Sequence, residues 1–322
     1  MIWEGRVSPP IYLLCEGMRY VKKDYLSIDV GGTETKYGIL DRSGNIIYHS
    51  KVSTPKEELS SFLVIIDNLV QKYYDQIRGV AFSVPGRVNP ITGEIGLGGA
   101  LPYLDGVNLV DHLHNKFGKG LIVSVENDGK AAALAELWLG NLRNEKNCAA
   151  IVLGTGVGGG IILDGHLYRG SHYQAGELSF VAFKNGKDKY GNVGSAVLMI
   201  NQIAKYYHLP DINDGLAVFD LINHRDKYAY KIFKKYCWKI ANLILNIQAV
   251  LDLERYVIGG GISAQPIVAD TIAAEYQKLL VKLDLTNIPR PAIMKAYFEN
   301  NANLYGGVYN LLLQVNGELE EN

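Results

Sequence analysis

Between residues 24 and 54 short apolar runs alternate with polar breaks: YLSIDV, GGTE, TKYGILD, RSGN and IIYHSKVST. Apolar, β-branched runs punctuated by glycine- and Asx-rich breaks predict three strands joined by tight turns. Helical spacing predicts a helix over 57–74, and IRGVAFSV after it reads as a buried strand. The same grammar returns at 148–168, CAAIVLGTGVGGGIILDGHLY: strand, glycine turn, strand, then a tight turn at Asp164 and Gly165 where the first copy has Asp41 to Gly44. Between the copies, GLIVSVENDGKAAALAELWLG delivers an apolar strand into an alanine-rich helix. Residues 227–248 carry apolar positions at helical spacing with lysines on a solvated face. LERYVIGGGISAQ is a strand into three glycines, followed by a long amphipathic helix with Ser263 as its expected cap.

A duplicated strand–turn–strand unit points to two like-folded lobes facing a shared cleft, and 322 residues exceed what one core usually supports. The composition, 48% hydrophobic and 20% charged, is that of a globular protein. A formal net charge of -1 gives no overall electrostatic case for nucleic acid or an anionic membrane, so small molecules and other copies of the chain are the expected partners. Cys15, Cys148 and Cys237 are scattered without a CxxC pair, against a disulfide framework and in favour of the reducing cytoplasm. No apolar stretch approaches the ~20 residues of a membrane span. Residues 1–23 read as a loosely attached extension, with Met18 as a candidate natural start.

The chemistry concentrates at the glycine turns. In LSIDVGGTETK, Gly31 and Gly32 allow backbone N–H groups to approach phosphate oxygens, and Asp29 at the strand end is placed to hold a hydrated Mg²⁺. Taken alone, the segment reads equally as a glycine hairpin capped by an aspartate. Gly154, Gly156 and Gly159 spell the dinucleotide fingerprint, but that fingerprint needs a helix immediately afterwards, and IILDGHLY reads as a strand. A Walker A loop is absent. Asn127 and Asp128 stand at a strand-to-helix junction, where either residue type is a favoured cap. If Asp128 faces the cleft it can accept the proton of an alcohol attacking a γ-phosphate. The glycines at 259–261 allow a flat adenine to lie against backbone.

In order along the chain, DVGGTETK (29–36), ENDGKAAALAE (126–136), LGTGVGGGIILDGHLYRG (153–170) and VIGGGIS (257–263) resemble the motifs of the ROK family of sugar kinases and sugar-responsive repressors. The resemblance runs from about residue 24 to 316. It implies an α/β, two-lobed actin-like ATPase fold, related to ribonuclease H, with a mixed sheet in each lobe and a cleft between them. The lobes are expected at 24–124 plus 303–318, where the helix of NNANLYGGVYNLLL returns to the first lobe, and at 125–302. By resemblance, Asp29, Gly31, Gly32, Thr33 and Lys36, then Gly154, Thr155, Gly156 and Gly158, bind ATP phosphates, with Mg²⁺ held through water at Asp29. Gly259, Gly260 and Gly261 bind adenosine, Asp128 is the catalytic base, and Pro102, Asn127, Asp128 and Glu177 meet the sugar. The implied reaction transfers the γ-phosphate of Mg-ATP to a hexose hydroxyl, typically the 6-hydroxyl, in a homodimer. A non-catalytic sugar sensor of the same family is the alternative. The DNA-binding branch is disfavoured, since residues 1–23 are too few for a helix-turn-helix.

Two departures bear on the substrate. The family's zinc site follows a Glu-x-Gly-His segment and uses a CxCGxxGCxE cluster. Here the segment is Glu177, Leu178, Ser179, Phe180, and no cysteine lies between 149 and 236, so no zinc is expected. Ala100 stands where the family commonly has Asn before Leu-Pro. Losing both polar contacts predicts a more open, apolar anomeric side, suited to a β-glucoside or an N-acylated hexose such as N-acetylmannosamine. His172 reads as an exposed loop residue.

Overall fold

The structure, a computed structural model, describes residues 23–318. The expected N-terminal extension and Met18 lie outside the described residues, apart from Lys23. The first sheet holds β1 (Asp24–Val30), β2 (Glu34–Leu40), β3 (Ile46–Ser53), β4 (Ile77–Val84) and, after a short ribbon of β5 (Arg87–Val88) and β6 (Ile95–Gly96), β7 (Ile122–Asn127). Its order is β3-β2-β1-β4-β7, antiparallel across the two hairpins and parallel from β1 through β4 to β7. The second sheet, in the order β10-β9-β8-β13-β14, repeats that plan with β8 (Cys148–Leu153), β9 (Val157–Leu163), β10 (His166–Tyr168), β13 (Arg255–Gly259) and β14 (Ala292–Lys295). A ribbon of β11 (Ala182–Phe183) and β12 (Asp188–Lys189) interrupts it. The mixed sheets follow from the duplicated hairpins, because tight turns permit only antiparallel neighbours while helical crossovers return the chain parallel.

The helices are α1 (Leu59–Tyr73), α2 (Leu109–Phe117), α3 (Asp128–Leu139), α4 (Tyr190–Val193), α5 (Ala196–Tyr206), α6 (Gly215–Asn223), α7 (Lys227–Leu251), α8 (Pro266–Lys282) and α9 (Ala302–Asn316). Leu26, Ile28, Val80, Phe82, Phe62 and Ile66 belong to the core between the first sheet and α1. Ile151, Tyr256 and Ile258 pack with Phe233, Ile240 and Ile244 of α7 and Ile272 and Tyr276 of α8 in the core of the second.

α3 and α9 cross where Gly306 meets the Ala131 carbonyl so closely that a Cβ at 306 would overlap it. Ser27 Oγ donates to the Leu304 carbonyl at 2.8 Å, seating α9 on the first sheet. β7 pairs with β4 as far as Asn127, so the lobe boundary expected between residues 124 and 125 falls inside a strand of the first sheet.

Helix α8 corrects one expectation. A 3₁₀ turn, Gly261–Ala264, intervenes after β13, and the helix begins at Pro266, with Gln265 before it. Proline presets the first helical φ and lacks the N–H a cap would satisfy. Ser263 is buried inside the turn, its hydroxyl without a partner among the described residues, instead of capping the helix. On α7, Lys227, Lys231 and Lys235 are exposed, as the pattern predicts, whereas Lys239 is half-buried and donates to the Val193 carbonyl.

Candidate active site

Strand register builds one end of the site. Asp29 on β1 lies opposite Lys36 on β2 and Ser83 on β4, and Ser83 lies opposite Glu126 on β7, a polar rank at the mouth of an apolar sheet. Asp29 Oδ1 accepts from Ser83 Oγ at 3.2 Å and Asn303 Nδ2 at 2.9 Å. Burial raises its pKa above the ordinary carboxylate range, opposed by Asn303, Lys36 and Ser83. Lys36 Nζ donates to the Asn300 carbonyl at 3.0 Å, and Lys36, Asp29 and Asn303 line one cavity with Gly259, Gly260 and Gly261.

The turn after β1 is closed by Gly31 N–H donating to the Glu34 carbonyl at 3.1 Å, and the Thr33 carbonyl accepts from Thr54 N–H at 2.9 Å. Ala100 reaches this turn: its Cβ stands 3.2 Å from where a side chain at Gly32 would begin. Pro102 follows, exposed, at the start of the 3₁₀ turn Pro102–Leu104. In the second turn, Gly154 N–H donates to the Gly156 carbonyl at 3.1 Å, Thr155 is exposed, and Gly158 sits on β9 opposite Val152. Gly260, with φ of 90°, folds the end of β13 against Leu153, where a Cβ would overlap the Leu153 carbonyl.

Between the two turns, the competition for the helix cap resolves in favour of Asn127. Its Oδ1 accepts from Lys130 N–H at 3.1 Å while its Nδ2 donates to the Gly86 carbonyl at 2.8 Å. Asp128 is the first residue of α3, its Oδ1 accepting from its neighbour Gly129 N–H at 2.7 Å. Burial pushes the Asp128 carboxyl up to about 6, with the charges of Asp29 and Glu177 adding to the rise and the Gly129 N–H and Lys130 opposing it. Asp128 thus feels acids from two distant parts of the chain. Glu177 stands just before the 3₁₀ turn Leu178–Phe180, its pKa raised by burial and opposed by the Lys130 ammonium 3.6 Å away. Phe180 is half exposed, and His172 is exposed as expected.

Several residues that shape the site carry no sequence signal. Ser179 Oγ accepts from Val157 N–H at 2.9 Å and donates to the Val157 carbonyl at 3.1 Å, tying the Glu177 segment to the second glycine turn. Glu126 is buried against Arg169, whose Nε donates to it at 2.9 Å and whose Nη2 donates to Asn310 at 2.9 Å. Asn310 donates on to Ser124, so the network joins the first sheet, the end of β10 and α9. Ser83, Asn303 and Lys130 likewise become visible only in three dimensions.

Among the described residues no helix is long and apolar enough to cross a membrane. The fold matches a ROK family protein from Streptococcus pneumoniae TIGR4 solved in complex with sucrose, with a TM-score of 0.81 and 27% identity over 91% of this chain and 99% of that one. It also matches a ROK family glucokinase from Streptomyces griseus solved with glucose and AMPPNP, with a TM-score of 0.76 and 22% identity over 88% of this chain and 97% of that one, a likeness of fold. The β-glucoside kinase of Listeria monocytogenes is 30% identical over 90% of this chain and 98% of its own length. Residues 25–314 match the ROK family as a whole, and with the two mixed sheets and the ordered motifs that match places this chain in the ROK family.

Proposed function

We propose that the chain phosphorylates a hexose hydroxyl, the 6-hydroxyl of a β-glucoside first among them, at the expense of ATP. The observation that carries this reading is Asp128, a half-buried carboxylate at a helix start that feels the charges of Asp29 and Glu177. As the sugar oxygen forms its bond to the γ-phosphorus, its proton passes to Asp128 and the bond to ADP breaks. The two turns supply the backbone N–H groups of residues 32–33 and 155–156 to the phosphates, those of Gly31 and Gly154 being used to close the turns, and 259–261 lies along the adenosine. The carboxylate of Asp29 suits a divalent ion: both its partners are neutral donors to one oxygen. No cluster of three metal-binding side chains stands among the described residues, so the ion would keep most of its shell as water, as Mg²⁺ prefers. Bound there, Mg²⁺ neutralises developing phosphate charge.

The substrate assignment rests on Ala100 beside the first phosphate turn, on the exposed Phe180, and on the likeness to β-glucoside kinases. A buried sugar hydroxyl without a partner costs ~1–3 kcal/mol, and these residues supply none. The lobes in this reading divide after Asn127, with α9 returning to the first. ADP release with glucose, cellobiose and N-acetylmannosamine, for the wild type and Asp128→Asn, tests both parts. A substituted enzyme within roughly tenfold of wild type would remove Asp128 as base, and a clear preference for glucose would remove the β-glucoside assignment.

A further inference from the structure

Lys130 lies two residues past the proposed base, and its side chain is 1% exposed. Among the described residues its Nζ finds no hydrogen-bond partner within 3.5 Å. An ammonium with three donors and no acceptor is costly to bury, so its position requires a compensating charge. The nearest is Glu177 Oε1 at 3.6 Å.

Close backbone packing brings the two together. A Cβ at Gly129 would stand 2.6 Å from Gly159 N, and one at Gly176 would stand 2.8 Å from the Gly159 carbonyl. The start of α3, the middle of β9 and the loop carrying Glu177 therefore meet with no side chains between them. A helical side chain leans back toward the N-terminus of its helix, which carries the Lys130 stem toward the same corner. The charged groups there are Asp128 on its own helix, Glu177 from the loop and, beyond Asp128, Asp29 from β1.

The contrast with the other buried pair is informative. Arg169 and Glu126 close to 2.9 Å, Asn310 engages a second guanidinium nitrogen, and the carboxylate is 1% exposed. Lys130 and Glu177 stay apart, and the Glu177 side chain is 22% exposed.

We propose that Lys130 is a positioning residue of the sugar subsite, holding the Glu177 carboxylate charged and presented to the substrate hydroxyls. The proposal rests on the sugar-kinase reading above and adds to it a residue that acts through Glu177. Steady-state sugar and ATP KM and kcat, from mildly acidic to mildly alkaline pH, for Lys130→Met, Lys130→Arg, Glu177→Gln and the Met/Gln double variant provide the test. Lys130→Met should raise the sugar KM roughly ten- to hundredfold, the size of a charge-assisted contact, and leave the ATP KM near wild type. Its defect should deepen as pH falls, because without the cation Glu177 takes up its proton at higher pH. Lys130→Arg should recover part of the loss, and the double variant should be no worse than Glu177→Gln. Should Lys130→Met not fold, Lys130→Gln carries the same comparison. An unchanged sugar KM, an equal loss in ATP KM, or full additivity with Glu177→Gln overturns the proposal while leaving the kinase reading in place. A wild type inactive toward every sugar tried overturns both.

Discussion

Replacing Asp128 by Asn should make the protein more stable as it removes the activity. The amide keeps an oxygen to accept from the Gly129 N–H, 2.7 Å from the native carboxylate, and removes only the half-buried charge that feels Asp29 and Glu177. In the folded chain this carboxyl titrates at about 6 against an ordinary value of 3.8. A gap of about 2 units at ~1.36 kcal/mol each makes the ionised form cost about 3 kcal/mol of folding stability, an upper figure because the surroundings relax around a charge. The folded state holds the proton more tightly than the unfolded one. Between the two values it therefore binds more protons, and stability falls as pH rises through that window. The penalty is complete above the folded value and absent below the unfolded one. Thermal melts should accordingly show Asp128→Asn several degrees above wild type at pH 8, with the gap closing as the pH approaches 4. Over the same series, wild-type kcat/KM should fall about tenfold from pH 7 to pH 5, as the fraction of free enzyme with an ionised base shrinks. A variant that melts at or below wild type at pH 8, or a gap that widens on acidification, would refute the placement of this charge.

Three further substitutions probe the frame around the base. Gly306→Ala forces a methyl into the Ala131 carbonyl where α9 crosses α3, and should cost about 3 kcal/mol or more in urea unfolding. Gly260→Ala meets both a φ of 90° and the Leu153 carbonyl; calorimetry with a non-hydrolysable ATP analogue should show weakened binding, with sugar binding retained. Arg169→Met strands Glu126 as an unpaired buried charge and should cost about 3–5 kcal/mol, with Glu126→Gln in the same chain recovering part of the lost melting temperature.

Local pattern was enough for the strands. IRGVAFSV is β4 residue for residue, and the helix expected at 57–74 forms at Leu59–Tyr73, because apolar periodicity and turn residues act within a few positions of one another. The predicted Asp29, Lys36 and Gly259 to Gly261 line one cavity, although the glycines lie more than two hundred residues from the other two, because Asp29 near the end of β1 is in register with Lys36 and the glycines follow from the end of β13. What pattern could not reach were contacts whose partners are remote. Nothing in the local string pairs Arg169 with Glu126, a contact made just past the end of β10, or Asn303 with Asp29, a contact made by the first turn of α9. Ser263 shows the opposite failure: a residue type favoured at caps was overruled by Pro266, which fixes where the helix starts.

The glycine turns make the same point about function. GTGVGG and VIGGGI look alike as strings, yet their glycines answer different demands. Gly260 is required by a left-handed φ and by its approach to Leu153, which folds the end of β13 against the β8 terminus. Gly159, which completes the apparent dinucleotide fingerprint, sits mid-strand under Leu178, where a Cβ would stand 2.7 Å from the leucine Cδ1. Its small size serves the seating of the Glu177 segment, and no helix follows it to receive a pyrophosphate. The third glycine of the fingerprint therefore serves packing here. The side chain it makes room for is Leu178, whose neighbour Glu177 stands 3.6 Å from the Lys130 ammonium, so a glycine that carries no polar group helps to seat a charged one.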